Sequence, residues 1–399
     1  RGRRALLSSA RDSAPARPMN QIPAVVLGMF PNGLGITRHF AALGVPVTCV
    51  DCDRKMLGMR TRFGRKRWFR ALHGRPLIED LLALRREFDE NPVLVLTREN
   101  SVRTVSEFRA ELEPHYRLHL APEKLVYDLD EKNAFQAMAE TGGFPIPRAV
   151  ALAGEADFAG LAGLRYPVVM KPAAKTREYM AKHKKVYKLG SQTEVERIFR
   201  EIQALSGPCV AQEYIPGGDD DIYFCLMFVS QHGDVHPSFV GRKLALHPPE
   251  LGTLTRAIPA PEAAAELADT SLRFFKSVDY FGMCSMEYKR DPRDGRYLMI
   301  EPTVSRADYQ ESIALLNGVD PAYAHYLEAT GQPVDAAIQP VAGEIAYVNH
   351  YTDRWVNGRA KMPPGRRYRE VDFHYRWDDP GPALAQFIER ARIRLGLPR

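Results

Sequence analysis

The chain has 399 residues, 45% of them apolar and 26% charged, which is too long for one small domain and has the balance of an ordinary soluble globular protein. Its net charge of +6 is uneven: residues 1–18 hold five arginines against one aspartate, and the near-neutral remainder argues against a general nucleic-acid binder.

In chain order, residues 1–21 form a basic segment expected to be disordered. Arg1 to Pro18 lacks the apolar centre of a secretory signal, so it reads as a tail or an over-extended start ahead of Met19, with an organelle-targeting peptide as the alternative. The first folded unit is placed at 22–121. Ala24 to Leu27 is a short apolar strand, Gly28-Met29-Phe30-Pro31-Asn32-Gly33-Leu34-Gly35 a glycine loop, Ile36 to Leu43 a helix, and Val45 to Val50 a second strand. Val93 to Leu96 and Arg117 to Leu120 read as later strands. This order implies a doubly wound parallel sheet with ligands beyond the carboxyl ends of its strands. The loop lacks the dinucleotide spacing, and either a dinucleotide site or a tight turn offering backbone N–H groups to a ligand is compatible with it. The run Arg60 to Trp68 reads as a solvated basic face, a rim that draws in an anionic substrate, or a nucleic-acid contact.

A second unit is placed at 122–334. A helix opens at Leu129 to Asn133, capped by Asp130, and ends at Gly142-Gly143, before the extended Pro145-Ile146-Pro147. Pro167 to Lys171 is a strand. The lysine-dense stretch from Pro172 to Lys188 reads as a mobile loop and hairpin, and Thr193 to Leu205 as an amphipathic helix. Cys209 to Tyr214, Ile222 to Val229 and Val235 to Leu246 read as strands, and Pro261 to Ser277 as a helix. Residues 335–399 form a C-terminal extension with a turn at Asp378 to Gly381 and a helix over Leu384 to Leu395, and no chemistry is assigned to them. The five cysteines are scattered, all but Cys52 in apolar surroundings, which suggests buried free thiols in a reducing cytoplasm. No eighteen-residue apolar run exists, so no membrane span is expected.

The chemistry concentrates in two strands. Tyr280 to Tyr288 carries Glu287, Tyr297 to Glu301 carries Glu301, and Asp-Pro-Arg-Asp-Gly between them reads as a hairpin turn. Antiparallel neighbours can aim both acids at one point, where they repel unless a cation or a shared proton lies between them. Lys171 ends a buried strand upstream, and a metal-binding acid pair with phosphate-binding lysines suggests a nucleotide site.

The order Lys132, Val-Val-Met-Lys171-Pro, a lysine-rich loop, Val-Ala-Gln-Glu213-Tyr-Ile-Pro-Gly, Gly-Arg242-Lys243, Met-Glu287-Tyr-Lys and Ile-Glu301-Pro-Thr-Val-Ser-Arg306 resembles the ATP-grasp superfamily, most nearly its carboxylate–amine ligases, from about Ile22 to Gly331. The resemblance implies an α/β chain: an N-terminal doubly wound parallel-sheet domain followed by a two-lobed α+β ATP-grasp domain. It implies ATP and Mg2+ as cofactors. Lys132 and Lys171 would contact phosphate, and Lys185 phosphate or adenine, where a solvated charge run is the competing reading. Glu213, Gln212 and the main chain of Ile215 would meet adenine, and Asp221 the ribose, where a solvated turn is the competing reading. Glu287 and Glu301 would bind metal, joined by Thr303 where the family usually has asparagine. Arg306, which comes one position late against the family pattern, would act with Lys171, Arg242 and Lys243 on the acceptor carboxylate and acyl phosphate. Arg256 is a further candidate on the substrate side.

The function implied is an ATP-dependent ligase that joins a carboxylate to an amine through an acyl phosphate. A kinase on a small acceptor and a silent nucleotide-binding protein are the alternatives. Small-molecule carboxylate and amine are the expected partners, without nucleic acid or membrane, and a homodimer is the candidate assembly.

Overall fold

The computed structural model describes residues 21–172, 177–184, 186–249, 252–341, 344–353, 356, 362–363 and 365–395. The basic N-terminal segment to residue 20 and Lys185 lie outside them.

The first sheet is parallel, in the order β3-β2-β1-β4, from β1 (Ala24–Leu27), β2 (Val47–Asp51), β3 (Arg65–Trp68) and β4 (Val93–Leu96). The helix α1 (Pro31–Ala42) starts five residues before the expected Ile36. Pro31 occupies its first turn, where a fixed φ helps and the missing N–H costs nothing. Gly33 lets that turn lie against the strand end: a Cβ there would stand 2.0 Å from the Gly28 carbonyl oxygen. The basic run forms the edge strand β3, where Arg65 and Arg67 both pair with Glu87. Helices α2 (Gly74–Arg85), α3 (Glu99–Glu107) and the short α4 (Arg109–Leu112) complete this layer. The strand expected at Arg117 to Leu120 shrinks to one bridge between Val93 and Arg117, because the chain turns at once toward Pro122 and buries Leu120 and Ala121 against the neighbouring helices.

Helices α5 (Glu123–Asp130) and α6 (Lys132–Thr141) replace the single helix expected near Asp130. Asp130 is taken by Arg103, whose Nε donates to it over 2.8 Å, so Glu131 becomes the cap and accepts from the Ala134 N–H at 2.7 Å. A small antiparallel sheet follows in the order β5-β8-β6-β7: β5 (Ala149–Leu152), β6 (Val168–Pro172), β7 (Tyr187–Leu189) and β8 (Cys209–Glu213). Helix α7 (Arg177–Lys182) lies in the lysine-dense stretch. Helix α8 (Gln192–Ser206), capped by Ser191, packs Val195, Ile198, Phe199 and Ile202 on this sheet.

The largest sheet has seven strands in the order β13-β12-β9-β10-β11-β14-β15. These are β9 (Ile222–Val229), β10 (Ser238–His247), β11 (Thr253–Pro259), β12 (Gly282–Arg290), β13 (Tyr297–Val304), β14 (Glu344–Val348) and β15 (Tyr368–Asp372). Helix α9 (Ala264–Ser277) covers one face with Phe274 and Phe275, and α10 (Glu311–Leu316) the other with Ile313 and Ala314. Residues after 335 thus contribute two strands to this sheet, with α12 (His350–Asp353) between them and α13 (Gly381–Arg394) after the second. Helix α11 (Pro321–Ala329) joins the first sheet to the largest: Ala322, Ala324 and Tyr326 share a core with Val26, Phe40 and Phe228. Burial on this scale contributes about 1.5–3 kcal/mol per large side chain. All five cysteines are free, and only Cys52 is exposed. No helix among the described residues is long and apolar enough to cross a membrane.

Candidate active site

β12 and β13 pair antiparallel, with Glu287 and Glu301 directly opposite each other and an irregularity in register just beyond, between Glu287 and Tyr288. The turn between the strands is held by Asp291, which accepts from the Arg293 N–H at 2.9 Å. The two carboxylates therefore leave the sheet side by side, and each meets an ammonium. Lys243 of β10 reaches across β9 to bond Glu287, and Lys132, the first residue of α6, stands 3.4 Å from Glu301.

These charges set the protonation of the pair. Burial raises the Glu287 carboxyl above its usual range, Glu301 and Asp308 add to the rise, and Lys243 opposes it. Burial also works against ionised Glu301, but Lys132, Lys171 and Lys243 outweigh it and hold that carboxyl below its usual range. Burial would lower Lys243, yet Glu287, Asp308 and Glu301 keep its pKa raised. One acid is thus easier to protonate than its neighbour, and a bound cation would favour both in the ionised form.

A cavity of about 550 Å3 opens beside the pair. It gathers Lys132, Lys171, Gln212, Glu301, Thr303 and Arg306 from the small sheet, α6, β13 and the residues just after β13. Lys171 Nζ stands 3.3 Å from Gln212 Oε1, and Gln212 donates to Gln136 at 3.0 Å, so the small-sheet wall is fixed by an amide chain. Glu99 and Arg103 from the first domain also line it, as does Val186 next to Lys185. Arg306 follows Ser305, whose φ of 58° is left-handed. That backbone is clamped: the Ser305 N–H donates to the Met283 carbonyl at 2.9 Å and to the Tyr280 hydroxyl at 2.7 Å. A conformation costing about 1–3 kcal/mol and held this way turns Arg306 into the cavity.

Other candidates lie elsewhere. Side chains alternate along β8, so Val210 and Gln212 face the cavity while Glu213 points away. Glu213 accepts from the Arg165 N–H at 2.9 Å and, with Ile215, lines a separate cavity of about 380 Å3 next to the Asp291–Arg296 turn. Asp221 accepts from the Gly218 N–H at 3.0 Å. Arg242 bonds the Asp220 carbonyl and lies over the Tyr223 ring, on the opposite face of β10 from Lys243. Arg256 is nearly buried and pairs with Asp353 and Glu370, away from the carboxylates. The glycine loop packs against β4 and α10 instead of opening to a ligand: a Cβ on Gly35 would meet Ser312 Oγ at 2.0 Å.

Three participants carry no local signal in the sequence. Asp308 accepts from Ser285 Oγ and acts on both Lys243 and Glu287. Glu99 and Arg103 reach the cavity only through the docking of the domains. Lys289 has a weak signal, since it follows Glu287 by two and shares its face of β12; it donates to the Gly218 carbonyl.

No family model matches the chain. It is 23% identical over 257 residues to a curated D-aspartate ligase of Enterococcus faecium (strain Aus0004), a match over 61% of this chain and 61% of that protein. The chain thus matches about three fifths of the length of that relative. Among solved structures, it is similar to the N5-carboxyaminoimidazole synthetase of Staphylococcus aureus, with a TM-score of 0.65 and 13% identity over 89% of this chain and 92% of that one. It is also similar to the biotin carboxylase domain of Hydrogenobacter thermophilus 2-oxoglutarate carboxylase, a dimer in complex with MgADP, ADP and bicarbonate, with a TM-score of 0.64 and 13% identity over 82% and 74%. These likenesses show the fold, which is the ATP-grasp fold.

Proposed function

We propose that this ATP-grasp chain is an ATP-dependent carboxylate–amine ligase. The observation that carries the reading is the direct opposition of Glu287 and Glu301, the second of which lines a cavity that also holds Lys132, Lys171 and Arg306. Two carboxylates facing each other across adjacent strands, each against an ammonium, suit a hard divalent cation. Glu287 and Glu301, with the Thr303 hydroxyl, would hold Mg2+, which supplies charge neutralisation to bound phosphates.

Lys132 and Lys171 hold the phosphates and lower their mutual repulsion. Gln212, which lines the cavity, would meet the base, whereas Ile215 and Asp221 lie outside its lining and are assigned no contact. A carboxylate oxygen of the substrate attacks the γ-phosphorus, and the bond to the bridging oxygen of ADP breaks. The amine nitrogen then attacks the acyl carbon, phosphate leaves, and the nitrogen loses a proton. Arg306 steadies the acyl phosphate with its fork of donors, and Lys243 takes the place on the acid-pair side that Arg242 does not reach. No side-chain nucleophile is needed. The D-aspartate ligase relative supports a small amino-acid carboxylate as one substrate, and the free thiols support a reducing cytoplasm as the working compartment.

The test is incubation with ATP, Mg2+ and paired panels of amino-acid carboxylates and amines. ADP and phosphate released together, only when both partners are present and with amide formed, support the ligase. ADP with a stable phosphorylated acceptor would make the protein a kinase, and ATP binding without ADP under any pairing would make it a silent binder. In the same assay Glu301→Gln is expected to lower turnover at least about a hundredfold with the fold intact, and unchanged turnover removes the metal assignment.

A further inference from the structure

Helix α13 is turned the wrong way for an ordinary surface helix. Its inner side, Pro382, Ala383 and Gln386, is covered or partly covered, and Gly381 packs so closely on the 57–60 turn that a Cβ would meet the Arg60 carbonyl oxygen at 2.2 Å. Its outward stripe is apolar: Leu384, Phe387, Ile388 and Leu395 recur at helical spacing and are all exposed, Phe387 at 67%. Trp377, 85% exposed, and Tyr375 stand just before the helix. At 100° per residue, Arg392 and Arg394 fall on the two flanks of that stripe, and both are exposed.

The neighbouring segment extends the positive charge. Asp379, just ahead of α13, is buried and accepts from Arg38, from Thr61 and from the Arg62 N–H at 2.9 Å, so the 60–62 stretch is fixed beside the helix. Arg60 turns to the Arg54 carbonyl and Arg62 lies over the Phe63 ring; among the described residues neither pairs with an acid.

We propose that this surface docks the protein on an anionic phospholipid membrane face, with the apolar stripe and Trp377 in the interface and the arginines on headgroup phosphates. An apolar stripe flanked by arginines, with a neighbouring tryptophan, is the pattern of a helix lying in a membrane interface, where long cationic side chains reach the headgroups while aromatic rings straddle the boundary. A second copy of this chain fits less well, because a two-fold contact would bring the same unpaired arginines together. The negatively charged cytoplasmic leaflet supplies the complementary charge. This inference stands independently of the ligase reading.

The test is flotation of the full chain with phosphatidylglycerol–phosphatidylcholine vesicles against phosphatidylcholine vesicles. The expected result is binding to the anionic vesicles only, with a blue shift of tryptophan emission that Trp377→Phe abolishes. The double variant Phe387→Asp/Ile388→Asp is expected to bind at least about tenfold more weakly, with unchanged circular dichroism. Should it fail to fold, Arg392→Glu/Arg394→Glu carries the same expectation. Binding to neither vesicle overturns the proposal. Undiminished binding by the variants also overturns it, since the basic N-terminal segment would then account for the affinity. So does a dimer in sedimentation that the Phe387→Asp/Ile388→Asp change splits, because the stripe would then be covered by a second copy.

Discussion

At the scale of single residues, Lys243 controls the behaviour of the acid pair. Three influences raise the Glu287 carboxyl, namely burial, Glu301 and Asp308, and Lys243 is what opposes them. Replacing it with a neutral side chain of similar length removes the opposing charge, so Glu287 must hold its proton to higher pH. If ionised Glu287 is what the reaction needs, the acid limb of the pH–kcat/KM profile in Lys243→Met moves to higher pH than in the native protein. A limb that stays in place separates Glu287 from the chemistry. The two glutamates were legible in the sequence because a turn signal between two apolar runs brings their strands together. The Lys243–Glu287 bond was not, because it spans β9: Glu287 lies opposite Phe224, Phe224 opposite Gly241, and only that three-strand register brings position 243 within a lysine's reach. Arg242, one residue away, faces the other side for the same reason, and sequence spacing could not choose between them.

At the scale of elements, legibility followed unbroken apolar sequence: the buried β11 (TLTRAIP) and β14 (EIAYV), each carrying a charged residue, did not stand out. Strands buried on both faces, such as Ala24–Leu27 and Val93–Leu96, are unbroken apolar runs and stood out. The sheet edges β3 and β15 read RKRW and YREVD, charges that protect an exposed edge while hiding it from an apolar pattern. The glycine loop shows the converse, a motif whose residues serve packing. Gly33 lies in the first turn of α1 with the Gly28 carbonyl where a side chain would go, and backbone meets backbone there, so no rotamer change relieves the clash. Gly33→Ala is therefore expected to cost at least about 2 kcal/mol in urea unfolding. Gly154→Ala, with nothing within 4 Å of its added Cβ and an extended φ of −160°, is the control and should change stability by less than about 0.5 kcal/mol. Equal effects would mean that α1 can slide from its strand, and the rigid placement of the first domain behind the cavity would go with it.

At the scale of the whole molecule, the first sheet and the largest one meet at α11, and the joint contains a histidine kept neutral. His325 is buried, its Nε2 lies 3.2 Å from the Leu94 carbonyl of β4, and its ring is edge-on to Phe228 of β9 and to His119. Burial, with His119 second, pushes its pKa down to about 3. Glu328, on the same helix, is penalised by burial, but His119, Ser230 and the Gln231 N–H outweigh that and bring it down to about 2. Both folded values lie below the unfolded ones, so both groups stabilise the joint at neutral pH and lose that stabilisation on acidification. Their windows differ: His325 begins to matter below its unfolded value near 6.5, whereas Glu328 matters only below about 4.5. Between pH 7 and pH 5 the unfolded chain takes up a proton at position 325 that the folded chain refuses, which removes about 2 kcal/mol. His374, lowered to about 4 chiefly by burial, adds a loss of the same sign, so the acid sensitivity of the native protein alone would not identify the joint. The comparison with His325→Phe does: phenylalanine keeps the ring and loses the titration, so its stability deficit against the native chain should shrink by about 2 kcal/mol from pH 7 to pH 5 in urea unfolding. A deficit that stays constant across that range would place the acid-sensitive part of the fold away from the contact between the sheets.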